Sequence, residues 1–306
     1  MPLILPGNVG SATAATGYNV ANSARFNDGS SDTLTRTPGS ASNRRTFTIS
    51  FWVKRGAISS AHQNVFSSGA YGSTQMTQVF FEATDELFFS DFAANQSQNF
   101  LLKTNRLFRD PSAWYHIFIA VDTTQGTASN RIKIYVNGVQ ETSFSTEVIP
   151  SQNLDLEINT SGKTNSIGAF PTGHSYFNGC LSHIHFIDGT QYTASDFGST
   201  DSTTGEWKIN TSPSVTYGTN GFFLLKDDNA VTDRSGQGNN FALTAGTLTK
   251  TEDCPSNVFA TLNPLHISDA SGNYYLSLGN LRQHVTNNDG HRETGFTLHP
   301  KGLKGY

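Results

Sequence analysis

From Thr46 to Lys54 the chain alternates without a break. Phe47, Ile49, Phe51 and Val53 fall on one side of an extended ribbon, and Thr48, Ser50, Trp52 and Lys54 on the other, which is the two-residue period of a β-strand. Val79-Phe80-Phe81 and Leu87-Phe88-Phe89 follow as two more strands across a polar turn. The run Trp114 to Val121 is apolar on both faces, which predicts a central strand between two covered surfaces. Ile132, Ile134 and Val136 then alternate with Arg131, Lys133 and Tyr135 and meet Asn137-Gly138. That dipeptide suits both positive-φ positions of a type I′ turn, so a hairpin into Val139 is predicted. Ser166 to Gly168, Leu181 to Ile187 and Phe222 to Leu225 supply later strands, and Ser235 to Asn240 reads as a tight turn. No segment carries the 3.6-residue period of a substantial helix; a short one is expected near Thr193 to Phe197. The body is therefore an all-β sandwich, expected over residues 25–250.

The flanks differ from the body. Residues 1–24 are mostly small and carry no charged side chain, and read either as a disordered leader or as an extended arm that orders on a partner. Residues 251–306 are turn-rich and weakly patterned, an irregular C-terminal extension. Over 306 residues only 14% are charged, with 20 Lys+Arg against 24 Asp+Glu and a net charge of -4. That balance speaks against nucleic acid as the partner, since a binder shows a basic stripe. The 28 glycines and 22 phenylalanines fit a turn-rich β protein. Two cysteines, Cys180 and Cys254, permit one disulfide, but two lone thiols are the favoured reading. No apolar run approaches the roughly 20 residues of a bilayer span, and the N-terminus lacks the basic region of a signal peptide.

Several blocks carry a family resemblance. Phe177-Asn178-Gly179-Cys180-Leu181-Ser182-His183-Ile184-His185-Phe186-Ile187-Asp188-Gly189 resembles the late strand of laminin-G-like, concanavalin A-type sandwiches. Together with Arg44 to Arg55, Trp114 to Ile117, Ile134 to Gly138, Asp233 to Phe241, Cys254 to Leu265 and the leader, it is similar to lectin-like virion proteins of tailed, marine-type bacteriophages. The resemblance covers roughly residues 1–265 and implies a laminin-G-like (concanavalin A-like) jelly-roll sandwich with an N-terminal arm and a C-terminal extension. It implies a non-enzymatic structural protein of the virion, capsid-decorating or tail-attached, exposed on the particle surface. The partners would be other capsid or tail proteins and further copies of the chain, a trimer among the options. The alternative is a receptor-binding tail fibre or adhesin that recognises host surface glycans. Longer relatives continue into a second sandwich, for which this chain is too short.

Candidate chemistry follows from the same resemblance. Some members of the fold class are glycosidases with a Glu-x-Asp-x-Glu or Glu-x-Asp-x-x-Glu strand, which places a nucleophile and an acid on one groove. Here Asn153-Leu154-Asp155-Leu156-Glu157 has Asn at the first position, so Asp155 and Glu157 are expected on a solvated strand face and no enzyme is expected. Glycan binding needs an aromatic platform, for which Trp52, Tyr71, Tyr176 and Trp207 are the candidates. Rim-loop calcium, the one cofactor in view, would draw on Asp122, Asp227, Asp228 and Asp233. His183 and His185 are read as an exposed or interface pair; metal chelation with His116 or His174 is the alternative.

Overall fold

The computed structural model describes residues 19–59, 61–70, 75–259, 261–262, 274–277, 280 and 282–285; Tyr71, residues 1–18 and most of the C-terminal extension lie outside them. Two eight-stranded antiparallel sheets form the body. The first contains β1 (Ser23–Phe26), β3 (Thr46–Arg55), β8 (Tyr115–Asp122), β9 (Ile132–Val136), β10 (Val139–Gln140), β13 (Gly179–Asp188) and β18 (Thr249–Thr251), in the order β10-β9-β8-β3-β13-β1-β18. A further strand, β16 (Phe222–Leu224), also pairs with β13. The second sheet contains β2 (Thr33–Arg36), β4 (Gln63–Ala70), β5 (Gln75–Phe81), β6 (Glu86–Phe92), β7 (Gln98–Leu107), β11 (Phe144–Val148), β12 (Asn165–Ile167) and β17 (Ala242–Ala245). Its order is β11-β7-β6-β5-β4-β12-β2-β17. The predicted hairpin is present: Val136 pairs with Val139, and Asn137 and Gly138 take φ of 49° and 76°.

The inward rows of both sheets make one core. Phe47, Ile49, Phe51 and Val53 join Ile117, Ile119 and Val121 from β8 and Val79, Phe81, Leu87, Phe89, Phe100 and Leu102 from the second sheet. β8 lies between β3 and β9, in the central position its two apolar faces predict.

The reverse side of the first sheet is sealed as well. Thr48, Ser50, Trp52 and Lys54, the polar members of the β3 alternation, are all buried. The cover is the chain's own. Helix α1 (Ala194–Phe197), the hairpin β14 (Gly198–Thr200) with β15 (Trp207–Ile209), and Tyr217 lie over Phe118, Ile187 and Phe223. Val20, Ile209 and Cys254 close over Trp52, Trp114 and Cys180. The helix is the short one anticipated, held by a capping box between Thr193 and Asp196.

A bulge explains why β13 reads apolar on both faces. Ser182 pairs with Trp52 but His185 with Ser50, so two residues, His183 and Ile184, oppose one. His183 takes φ 48°. Strict alternation would put His183 and His185 on the core face with Leu181. The bulge shifts the phase so that Ile184 and Phe186 enter the core instead.

The Asn153–Glu157 segment is not a strand. Asp155 is exposed and paired with Arg45, whereas Glu157 is buried beside Lys163 and Arg44. The expected solvated strand face is thus replaced by a loop that closes one end of the core with Leu156 and Ile158.

Candidate functional site

The two outer faces of the sandwich differ in kind, and the sealed one absorbs most residues that the sequence marks as candidates. His116 is stacked on Trp52 at 5.1 Å between ring centroids, and Trp207 lies at 5.9 Å, hydrogen-bonded to its edge. The Trp207 Nε1–H donates to His116 Nδ1 (3.0 Å), so Nε2–H is the donor to Ser50 Oγ (2.8 Å) and the ring is neutral. Burial pushes its pKa down to about 3. His183 and His185 are also buried, not exposed as expected. His185 lies 4.0 Å from the Phe223 ring and shares a 2.8 Å hydrogen bond with the Tyr217 hydroxyl. Burial, with the nearby Lys226 ammonium, lowers His183 to about 3. Burial followed by His183, His116 and Lys226 holds His185 well below its ordinary value. Among the described residues no group of three or more His, Cys, Asp or Glu is placed to hold a metal.

Of the two tryptophans expected as sugar platforms, Trp52 is buried and Trp207 half-buried. Trp52 is 4% exposed, and Trp207 spends its N–H on His116 while its ring covers the Asn137–Gly138 turn, where a Cβ on Gly138 would strike it. Tyr71 lies outside the described residues. Tyr176 is half-buried on the loop after Gly168, its hydroxyl donating to the Gly173 carbonyl (2.6 Å).

The four aspartates do not converge either. Asp122 accepts from Thr46, from the amide and hydroxyl of Thr124 and from Gln125. Burial alone would raise its pKa, but these donors outweigh it and hold the carboxyl below its usual range. Asp233 is buried and organises its own turn, accepting from the amides of Phe223, Ser235 and Asn239 and from the Ser235 hydroxyl. Asp227 accepts from the Ala21 amide, and Asp228 from the Ala230 amide with Arg234 at 3.8 Å. Asp227 and Asp228 share one loop, but among the described residues no three carboxylates gather at one point.

Both cysteines are buried free thiols on the sealed side. Burial and then Asp253 push Cys180 up to about 12. Beside them Lys54 pairs with Asp253 at 2.6 Å and donates to the Phe259 carbonyl, and Trp114 Nε1 donates to the other Asp253 oxygen (2.9 Å).

The outer face of the second sheet is only partly covered among the described residues: Met76, Phe80 and Phe170 are buried in a small cluster of their own, and Phe88 packs half-buried against it. Phe80 and Phe88 lie side by side at 4.5 Å between ring centroids, Phe170 meets Phe80 edge-on at 5.9 Å, and His62 lies at 5.4 Å. Phe88, Phe92 and Leu101 are only half-buried. Polar groups border the rings: Gln78 Nε2 donates to Ser90 Oγ (3.0 Å), Glu86 pairs with Lys103, and Glu82 with His62 (2.8 Å). The loop carrying Phe170 and Tyr176 rims one side, tied down by the Asn64 side chain donating to the Ala169 carbonyl (2.6 Å). Convergent aromatic rings with a few hydrogen-bonding groups are what a binding surface requires. None of these rings was among the sequence candidates, although the signal is present. In Phe80-Phe81 and Phe88-Phe89 adjacent rings must point to opposite faces, so one of each pair faces outward.

Comparison with known proteins agrees with this architecture. No curated protein matches the chain. Among solved structures it is similar to the heptameric SAP-like pentraxin of Limulus polyphemus, at 13% identity over 76% of this chain and 94% of that one, with a TM-score of 0.41. It is similar to domains LG4-5 of the mouse laminin alpha1 chain at 10% identity, over 67% of this chain and 47% of that one, TM-score 0.41. The full-length tailspike protein 2 of an Escherichia coli bacteriophage matches at 12% identity over 56% of this chain and 23% of that one, TM-score 0.39. The family model described as the concanavalin A-like lectin/glucanases superfamily matches residues 28–194, more than half of the sequence. The all-β jelly-roll sandwich and this match together assign the chain to the concanavalin A-like lectin/glucanase superfamily, as a laminin-G-like, lectin-type domain.

Proposed function

We propose that the chain is a non-enzymatic display protein of a tailed-phage particle, anchored through its ends and presenting the open face of the second sheet outward. One observation carries this reading: Val20 and the Cys254–Ser256 turn lie side by side on the sealed face. The Val20 amide donates to Ser256 Oγ (2.8 Å), and Cys254 Sγ donates to the Val20 carbonyl (3.0 Å). Val20 and Phe259 thus both lie on the sealed side, and attachment through the residues that flank them would turn the aromatic face away from the anchor. The phage assignment rests on the order of the sequence blocks. In this reading the outward face takes a host surface glycan. The half-buried Phe88 ring matches the apolar face of a pyranose, and neighbouring Gln78, Lys103 and Glu86 supply hydrogen bonds to hydroxyls.

Two measurements test the two halves of this reading. The chain, with and without residues 1–18, is mixed with purified tailed-phage particles lacking it, and cosedimentation is followed by cryo-electron microscopy. Density on the shell or tail, lost with the arm, is expected; failure to bind any part of the particle removes the virion assignment. On a host-polysaccharide array, retention that Phe88→Ala abolishes is expected. Retention indifferent to that change removes the open face as the site.

A further inference from the structure

At the end of the core, on the inner side of the second sheet, three neighbouring strands place a polar row where apolar side chains would ordinarily continue. Register pairs Asn165 of β12 with Ser68 of β4 on one side and Arg36 of β2 on the other. All three follow in phase with Phe66, Ile167 and Leu34 of the core, so their side chains point between the sheets. Asn165 is 0% exposed and Ser68 1%. Both polar atoms of the Asn165 amide, the Ser68 hydroxyl and Arg36 Nη1 have no hydrogen-bond partner. Buried polar groups are normally paired, and a cluster of unpaired ones marks a place where something else supplies the partner.

The chemistry of the missing partner follows from the donor count and the charge. Arg36 Nη1 and Asn165 Nδ2 offer two hydrogens each and Ser68 one, against the single unpaired amide oxygen of Asn165. Arg36 Nη2 reaches only the neutral side-chain oxygens of Asn239 and Asn220, and no carboxylate forms an ion pair with Arg36 among the described residues. The nearby carboxylates are already engaged. Asp233, whose charge acts on Arg36, accepts from the amides of Phe223, Ser235 and Asn239 and from the Ser235 hydroxyl, and Asp188 accepts from Asn43, Asn159 and Asn220. Arg36 is half-buried, whereas Asn165 and Ser68 are fully buried.

We infer that Arg36, Asn165 and Ser68 form a binding site for a small oxyanion, a carboxylate or phosphate group, that enters at this end of the sandwich. The site is separate from the open aromatic face and does not depend on the glycan reading. Calorimetric titration at constant ionic strength, with sodium phosphate, sodium acetate and sodium glucuronate and with neutral glucose as control, tests it on the full chain. Saturable binding of the anions but not of glucose is expected, weakened at least about tenfold by Arg36→Gln and several-fold by Ser68→Ala. Glucuronate binding more tightly than acetate would identify the source as an acidic sugar; equal binding would identify a free anion. Should Arg36→Gln fail to fold, Ser68→Ala and the wild-type titration still decide. No anion binding, or binding unchanged in Ser68→Ala, overturns the inference and leaves the row to ordered water.

Discussion

His116, His183 and His185 illustrate how burial changes the meaning of a residue. On a surface each would titrate near 6.5; here the sealed layer keeps the imidazoles neutral, His116 and His183 with pKa of about 3. The sign of the linkage is then fixed. Below pH 6.5 the unfolded chain takes up protons that the folded chain refuses, so stability is full above that pH and declines as the pH falls towards 3. Urea denaturation at pH 7.5 and 5.0 is expected to show a lower midpoint at pH 5.0. His185→Phe, if it folds, should flatten that dependence; a midpoint unchanged between the two pH values would count against buried neutral rings. The Lys54–Asp253 pair offers a second test. Both side chains are almost fully enclosed, and Asp253→Ala would strand the ammonium and release the Trp114 indole and the Phe259 segment. A loss of about 3–5 kcal/mol is expected in chemical denaturation, with Lys54→Met in the Asp253→Ala background recovering part of it.

At the scale of the element, the Asn137–Gly138 hairpin does two things at once. Gly138 supplies the left-handed turn that the right-handed twist of β9 and β10 prefers, and its missing side chain lets the Trp207 ring lie flat over the turn. Gly138→Ala therefore both strains the turn and lifts the β14–β15 hairpin off His116. A loss of about 1–2 kcal/mol from backbone strain alone is expected, with red-shifted tryptophan emission as the cover opens. An unshifted spectrum in a destabilised variant would confine the effect to the turn. This hairpin was legible in the sequence because its cause is local. The β13 bulge was not. Ser182-His183-Ile184-His185 fits either phase of a strand, and the phase is selected by which side chains the opposing sheet and the cover accept. Asn153–Glu157 failed for the related reason that five residues with apolar alternation are too few to separate a strand from a loop that drops Leu156 and Ile158 into the core.

For the whole molecule, the decisive feature is asymmetry among the described residues: one sheet is sealed by its own chain, while the other leaves Phe88, Phe92 and Leu101 half-exposed around the buried Phe80. Phe88→Ala should leave the melting temperature within a few degrees, because that ring is only partly buried, yet remove glycan retention. Deleting residues 1–18 should likewise leave the melting temperature almost unchanged, whereas deletion through Phe26 removes β1 from between β13 and β18 and should abolish cooperative unfolding in a thermal melt. The sequence by itself determined the all-β class, the central β8 strand, the I′ hairpin, the short capped helix and the inward phenylalanine rows, since each follows from a period or a turn residue acting over a few positions. Tertiary structure alone decided which outer face is open. The cover comes from residues 190–217 and 253–259 together with Val20, segments with little periodicity whose destination depends on contacts made across the chain. That long-range packing buried Trp52 and the histidines, turned the Trp207 N–H inward, and left Phe88, half-buried against Phe80, as an aromatic ring open to the second sheet's outer side.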